Sequence, residues 1–196
     1  MFDDPQYHSD EKSRVRAFHW NRVKDEHFMQ CFEQDEALIE GVGLFVQQAL
    51  KGESAAIIIA TEEHREGVAN FLRGNGLDPA RLQREGRFTS LDAAETLARI
   101  SVDGRVNRQR FFEVAGTLIS RASNSWGEVR AFGEMVNLLW LEGKRAEALE
   151  LEGLWNQLGK IYPFALFCAY SKGAFECGED EECFSHVCEA HSMVIL

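Results

Sequence analysis

Polar side chains capable of chemistry recur in this sequence directly after short apolar segments. They are Glu33, Asp35, Glu62, His64, Asp92, Glu134 and Tyr170. If the apolar segments are parallel strands, their carboxyl ends meet at one edge of a sheet, where α/β proteins bind ligands. Converging carboxylates there would suit cations, hydrogen-bond donors or a metal better than a bare phosphate. Helix capping explains Asp35, Thr61 and Asp92 equally well.

A second group of candidate ligands lies near the carboxyl end of the chain. Cys177, Cys183, His186, Cys188 and His191 fall within fifteen residues, and sulfur with imidazole is typical of zinc sites. On a helix, however, Cys183 and His186 share one face, and Cys188 and His191 share another face about 140° away. We therefore interpret these residues as small buried hydrophobes with two surface histidines. We predict neither a metal nor a cofactor, and the acidic surroundings also disfavour a reactive thiol.

Arg130 and the aromatic residues of the carboxyl-terminal half are the remaining chemical candidates. Arg130 lies inside a predicted strand, where a buried guanidinium needs a carboxylate, and Glu134 is its predicted partner. Trp140, Trp155 and Phe167 surround the last two strands with neighbouring leucines, which is typical of a core. The same aromatic residues would also suit an apolar pocket with a few polar anchors.

No catalytic motif is present in the sequence. A nucleotide hydrolase would carry G-x-x-x-x-G-K-[ST] between the first strand and helix, but the chain reads Glu33-Gln34-Asp35-Glu36 there. Carboxylates at that point would repel a triphosphate. The motifs G-x-S-x-G, H-E-x-x-H, C-x-x-C and G-x-G-x-x-G are missing as well. We predict a protein that is not an enzyme.

The elements that must position these residues alternate along the chain. Predicted strands at 27–32, 54–60, 87–91, 128–133 and 164–170 are separated by segments with helical spacing. Such alternation predicts an α/β fold with a mainly parallel sheet flanked by helices. Residues 1–25 are polar and lack periodicity, so we expect a loosely ordered arm before a single domain spanning 26–196.

Composition restricts the function classes. The 196 residues carry 32 acidic and 21 basic side chains, a net charge of −11, which argues against nucleic-acid binding. No run is long and apolar enough for a membrane span, and the amino terminus does not have the pattern of a signal peptide. Five cysteines without disulfide-scaffold spacing fit a reducing compartment. We expect a cytoplasmic protein that binds neither nucleic acid nor membrane.

Several short motifs in fixed order resemble the MEDS domain, the methanogen/methylotroph dichloromethane-regulator sensory domain. The first is His27-Phe28-Met29-Gln30-Cys31-Phe32-Glu33-Gln34-Asp35. The others are 50–53, 59–64, 85–88, 91–93, Arg130-Ala131-Phe132-Gly133-Glu134-Met135-Val136, Leu151-Glu152-x-Leu154-Trp155-Asn156, Phe167-Cys168-Ala169-Tyr170 and Cys188-x-x-His191-Ser192. The resemblance spans about 27–196. Cys31 departs from it, since the family usually has an aromatic residue there, and the pocket wall at Cys31 would then be smaller or shaped differently.

The resemblance implies a degenerate RecA/KaiC-like three-layer architecture without the phosphate-binding loop. It also implies a non-catalytic module that senses a small organic molecule such as a hydrocarbon derivative. The signal would leave through a histidine kinase, a transcriptional regulator or a second copy of the chain. The residues expected to bind the ligand are His27, Gln30, Glu33, Asp35, Glu62, His64, Asp92, Arg130, Glu134, Trp140 and Tyr170. Two alternatives stay open: a divergent nucleotide- or metal-dependent hydrolase, and a protein-interaction module without a ligand.

Overall fold

A computed structural model describes residues 5–20, 26–175 and 181–195. The helices are α1 (Pro5–Ala17), α2 (Asp35–Lys51), α3 (Glu62–Gly74), α4 (Pro79–Arg84), α5 (Ala93–Ile100), α6 (Arg108–Phe111), α7 (Thr117–Trp126), α8 (Met135–Leu141), α9 (Arg145–Gly159) and α10 (Glu181–Ala190). The strands are β1 (His27–Phe32), β2 (Ala55–Ala60), β3 (Phe88–Asp92), β4 (Ser101–Val102), β5 (Arg105–Val106), β6 (Val129–Gly133), β7 (Ala165–Ser171) and β8 (Met193–Ile195). A π-helical segment, Phe112–Gly116, joins α6 to α7, and a 3-10 turn, Lys172–Phe175, follows β7.

Six strands form one sheet in the order β3-β2-β6-β7-β1-β8. Every pairing in this sheet is parallel, because helical crossovers return the chain to the same end between successive strands. The short strands β4 and β5 form a separate antiparallel hairpin. The predicted α/β fold with a mainly parallel sheet flanked by helices is confirmed.

Helices cover both faces of the sheet, and each face has its own apolar core. On the first face Phe28, Ile58, Phe132 and Phe167 pack beneath α1 to α4. The alternate residues of the same strands point to the second face, where they meet α5 to α10. β2 shows the consequence, since all six of its residues are buried, as expected of a strand covered on both sides.

Side-chain caps begin several helices at the predicted positions. The side chains of Thr61, Asp92 and Asn107 each accept a backbone N–H from the first turn of α3, α5 and α6. The prediction that Asp35 caps its helix is wrong. Gln34 is the residue at the cap, and Asp35 is the first helical residue. The Asp35 carboxylate lies 3.3 Å from the ring of His64.

The described part of the amino-terminal segment contains a helix and a buried tryptophan. Residues 5–17 form α1, which packs on α2, and Val15 is buried against Gly41. Trp20 inserts among Phe28, Phe45 and other rings of the first core. The sequence offers Val15, Phe18, Trp20 and Val23 for local docking, within a segment that is otherwise polar and without periodicity. The division of the chain at residue 26 stays a prediction.

In the described part of the chain, none of the helices is both long and apolar enough to cross a bilayer.

Candidate functional site

Polar side chains at the carboxyl edge of the sheet form a closed ion-pair cluster, which we define as Asp35, Thr61, His64 and Glu134. His64 Nδ1 lies 2.8 Å from Glu134 Oε1, and His64 Nε2 lies 3.3 Å from Asp35 Oδ1. The other oxygen of Glu134 accepts the backbone N–H of Thr61 at 2.9 Å. Parallel strands deliver Thr61 and Glu134 side by side, since β2 and β6 are neighbours.

Opposite charges stabilise the carboxyl-edge cluster. Burial opposes protonation of His64, but hydrogen bonds and charge from Glu134 and Asp35 outweigh it, so the pKa of His64 is raised. Glu134 is buried, whereas the Asp35 side chain is about half exposed. The imidazolium and the carboxylates satisfy one another, which leaves the cluster few groups with which to hold a ligand.

A second cluster lies on the second face of the sheet, beneath α9. We define the His27 cluster as His27, Glu152, Cys168 and His191, whose ligand-type atoms all lie within 4.8 Å of one another. His27 begins β1, Cys168 is central in neighbouring β7, and Glu152 projects from α9. His191 directly follows α10. Four elements that are distant in sequence therefore converge on one buried point.

Short contacts link the members of the His27 cluster. His27 Nε2 lies 3.2 Å from Glu152 Oε2 and 3.3 Å from Cys168 Sγ. His191 Nε2 lies 3.4 Å from Glu152 Oε1. Tyr170 Oη donates to the same Oε1 at 2.6 Å. Glu152 is thus the centre of the cluster, with its side chain completely buried.

Burial and charge set the protonation of these groups. Burial alone would raise the pKa of Glu152, but His191 and His27 lower it well below its usual range. Burial and the Glu152 charge raise the pKa of the Cys168 thiol and of the Tyr170 hydroxyl. The pKa of His191 is raised because Glu152 and the Val187 carbonyl outweigh burial. A carboxylate in a closed apolar interior requires compensating positive charge.

A cavity opens beside this cluster, and we call it the His27 cavity. Its volume is about 320 Å³. Trp155, Phe164 and Leu166 supply apolar walls. Its polar and remaining lining comes from Glu26, His27, Asn156, Gly159, Lys160, Ala190 and Ser192. His27 belongs to both features, so this cavity gives solvent a route to the edge of the buried cluster.

Comparison with known families assigns the chain. The model of the MEDS family, described as "MEthanogen/methylotroph, DcmR Sensory domain", matches residues 26–191. The chain belongs to the MEDS family. All four members of the His27 cluster lie within the matched residues.

Other comparisons establish the fold of this MEDS domain. A solved structure of a protein from Pyrococcus horikoshii OT3 is similar to it with a TM-score of 0.54 and 12% sequence identity. The alignment covers 95% of this chain and 87% of that one. At this identity the likeness concerns the fold alone. No curated protein matches the chain.

The structure distributes the predicted ligand residues of the MEDS domain over several places. Asp35, His64 and Glu134 meet at the carboxyl edge, where Asp92 pairs separately with Arg65 at 3.2 Å. Glu33 and Glu62 are exposed at this edge. His27 and Tyr170 belong instead to the second face, and Trp140 is buried there with its ring edge-on to Tyr170. The predicted ligand residues therefore do not line a single crevice.

Gln30 and Arg130 face the first core instead of a ligand crevice. Gln30 is buried, and its Nε2 lies 3.5 Å from the Glu11 carboxylate of α1. The predicted Arg130–Glu134 pair is wrong: Arg130 Nε lies 3.5 Å from Glu128, and Nη1 donates to the Trp20 carbonyl. Four residues along a strand span about 13 Å, so Arg130 and Glu134 lie at opposite ends of β6.

The terminal cysteine and histidine group is only partly represented in the His27 cluster. Of the four residues weighed as a metal site, His191 is buried, Cys188 is half-buried and His186 is exposed. The side chain of Cys183 and all of Cys177 lie outside the described residues. His191 finds its partners on other elements, which the spacing within one helix cannot reveal.

Sequence reasoning missed Glu152, Cys168 and Asn156 as site residues. Each lies inside a motif that resembles the MEDS family, yet none was selected. The signal in the sequence was a charged residue at a position that the helical pattern assigns to the core. Glu152 sits between the buried Leu151 and Leu154 on α9, where a solvated carboxylate is not expected.

Proposed function

We propose that this MEDS domain is a non-catalytic sensor, which binds a small organic molecule in the His27 cavity and signals through a partner protein. The observation that carries the proposal is the mixed lining of that cavity. Apolar walls from Trp155, Phe164 and Leu166 face a few polar groups, among them His27 and Asn156. Small-molecule sites are usually built in this way.

The size of the cavity favours a small hydrocarbon derivative. At about 320 Å³ it lies at the lower end of the range of about 300–1,000 Å³ for ligand sites. The hydrocarbon part of a ligand would pack against Trp155 and Phe164. A hydroxyl or carbonyl group would bond to His27, Asn156 or Ser192.

The walls of the cavity suggest how binding is transmitted. Asn156 of α9 donates to the Ala190 carbonyl at 2.9 Å, and the backbone N–H of Ser192 donates to the His27 carbonyl at 2.6 Å. A ligand between these groups would bias the docking of α10 and β8. A tenfold shift between two docked states requires about 1.4 kcal/mol of differential binding.

The carboxyl edge supports a role without phosphate chemistry. The turn between β1 and α2 carries Glu33, and the first turn of α2 carries Asp35 and Glu36. The Glu33 N–H is bonded by the buried carboxylate of Glu11 at 3.3 Å, in a position where a phosphate loop would offer donors to a nucleotide. A RecA/KaiC-like ancestry without the phosphate loop is part of this proposal.

The remaining elements of the proposal concern partners and location. An output partner of this sensory domain would be a histidine kinase, a transcriptional regulator or a second copy of the chain, in the cytoplasm. In this proposal the carboxyl-edge residues hold the sheet edge together, and His27 is the predicted ligand residue that keeps its role.

Filling the cavity tests the proposal. Gly159 lines it, and a Cβ placed on Gly159 meets nothing within 4 Å. Gly159→Leu should therefore fill the space without disturbing α9. We expect short-chain alcohols, ketones or dichloromethane to raise the melting temperature of the wild-type protein in a thermal-shift panel. The Gly159→Leu variant should lose that increase.

Gly153→Leu is the matched control, because Gly153 also lies in α9 with open space around its Cβ, but away from the cavity. It gains the same helix propensity of about 1 kcal/mol and should keep the ligand-induced stabilisation. If no member of the panel stabilises the wild-type protein, or if both variants respond like it, the cavity is not the sensory site.

A further inference from the structure

We propose that His27, Glu152, Cys168 and His191 form a binding site for a divalent transition metal of the zinc class. The ligand atoms would be the two imidazole Nε2 atoms, Glu152 Oε2 and Cys168 Sγ. This inference goes beyond sensing a small molecule and does not rest on that function. It rests on the convergence of four ligand-type side chains from β1, α9, β7 and the end of α10.

The distances within the cluster are those of a tetrahedral shell. Zinc bonds of about 2.0–2.3 Å to nitrogen, oxygen and sulfur place tetrahedral ligand atoms about 3.3–3.6 Å apart. His27 Nε2, Glu152 Oε2 and Cys168 Sγ are separated by 3.2, 3.3 and 3.6 Å. These three distances fit one face of such a tetrahedron, and the ligand-type atom of His191 lies within 4.8 Å of each of the three atoms.

Neighbouring groups orient both imidazoles for ligation. His27 Nδ1 lies 2.9 Å from Asn156 Oδ1, and His191 Nδ1 lies 2.6 Å from the Val187 carbonyl. Both neighbours are acceptors, so each Nδ1 donates outward and each Nε2 is directed at the Glu152 carboxylate, where a metal ion would replace the Nε2 proton. Metal-bound histidines are held in this way by an outer acceptor.

The buried Glu152 carboxylate, with two imidazoles and a thiol around it, is a favourable place for a cation. Tyr170 and Cys168 direct their protons to the Glu152 carboxylate, while both Nε2 atoms face the same carboxylate. His191 Nε2 belongs to a completely buried side chain, and its contact with Glu152 Oε1 at 3.4 Å does not have the geometry of a hydrogen bond. A buried nitrogen with so weak a contact is costly in an apolar interior, and a bond to a metal ion would satisfy it.

Charge balance favours a divalent ion. A thiolate, a carboxylate and two neutral imidazoles around M²⁺ give a complex with no net charge, which an apolar interior tolerates. Binding releases the Cys168 proton, and the Nε2 proton of each charged histidine, to solvent, because only the thiolate and the neutral imidazole are ligands. Sulfur and nitrogen ligands select zinc, cobalt or a similar ion over magnesium and calcium, which prefer oxygen.

The test uses the full chain, first freed of metal by chelator and then titrated with Co²⁺. We expect one Co²⁺ per chain, a cobalt–thiolate charge-transfer band in the near ultraviolet, and loss of that band when Zn²⁺ displaces cobalt. Cys168→Ser should remove the band, and His191→Gln should weaken binding by about tenfold or more. Cys188→Ser and His186→Gln are matched controls on α10, and both should behave like the wild type.

Three results would overturn the assignment. They are a folded wild-type chain that takes up no stoichiometric Co²⁺ or Zn²⁺, a cobalt spectrum without the thiolate band, and retention of that band in Cys168→Ser. The first two need no variant, so they hold even where a substitution prevents folding. Such results would mean that hydrogen bonds and ion pairs hold the His27 cluster together without a metal. The thermal-shift panel with organic molecules reads the sensory function separately, so each proposal can fail without the other.

Discussion

At the scale of single residues, His64 shows how burial decides which ion pair matters. Its two carboxylate partners differ, since the Glu134 side chain is 2% exposed and that of Asp35 is 53% exposed. A hydrogen bond between charged, buried groups contributes about 1.5–3 kcal/mol, whereas an exposed pair contributes about 0–1 kcal/mol. Glu134 is therefore the partner that stabilises the edge.

This pairing predicts a specific dependence of stability on pH. Because the pKa of His64 is raised in the folded protein, its contribution is complete below the ordinary histidine value of about 6.5. It is lost as the pH rises through the higher folded-state value. In urea unfolding, His64→Gln should cost about 1.5–3 kcal/mol at pH 6, and less at pH 9.

Asp35→Asn is the control for the His64 measurement. It should change the free energy of unfolding by about 1 kcal/mol or less at either pH. A difference between wild type and His64→Gln that stays constant from pH 6 to pH 9 would show that the imidazole is not protonated in the folded protein.

At the scale of elements, local sequence patterns predicted the strands and the helix caps, but they could not predict which distant elements pack together at the site. β2 and β7 are apolar almost throughout, and Thr61, Asp92 and Asn107 cap helices locally, so a short window of sequence contains the necessary information. The site depends on pairings between distant positions. Cys168 faces Met29 across β1 and β7, and no periodicity specifies which helix residue then covers it.

α1 packs on the first core although its sequence is polar. Trp20 is buried at 4% exposure among Phe28, Phe45 and Phe167, and its ring N–H donates to the Val15 carbonyl at 2.9 Å. One aromatic anchor thus attaches a polar helix to the first core. It also brings the Trp20 carbonyl to the Arg130 guanidinium.

Truncating that anchor should be costly. Trp20→Ala removes a large buried ring and leaves a cavity, so we expect a loss of about 3–5 kcal/mol in the free energy of unfolding. Urea denaturation followed by far-ultraviolet circular dichroism measures it. The exposed neighbour His19 gives the control, and His19→Ala should lie within about 0.5 kcal/mol of wild type. Similar stability for both variants would mean that residues 5–20 do not dock.

At the scale of the whole molecule, the first and last strands of the main sheet, β1 and β8, meet beside the His27 cluster. β1 lies between β7 and the carboxyl-terminal β8, and Ser192 bonds to the His27 carbonyl through both its N–H and its hydroxyl. His191 connects this terminal segment to Glu152 of α9. β8 contributes three residues to the sheet edge, so its docking depends strongly on this neighbouring cluster.

Metal binding should therefore stabilise the sheet at the β8 edge and not at the β3 edge. Short edge elements open at low free-energy cost, and a metal bound to His191 would tie α10 and β8 to α9 and β1. In hydrogen exchange, amides at 181–195 should exchange more slowly with Zn²⁺ than with chelator. β3, the opposite edge strand, is the internal control and should not respond. Equal protection of both edges would mean that zinc stabilises the fold globally, and unchanged exchange at 181–195 would mean that the cluster does not control the terminal segment.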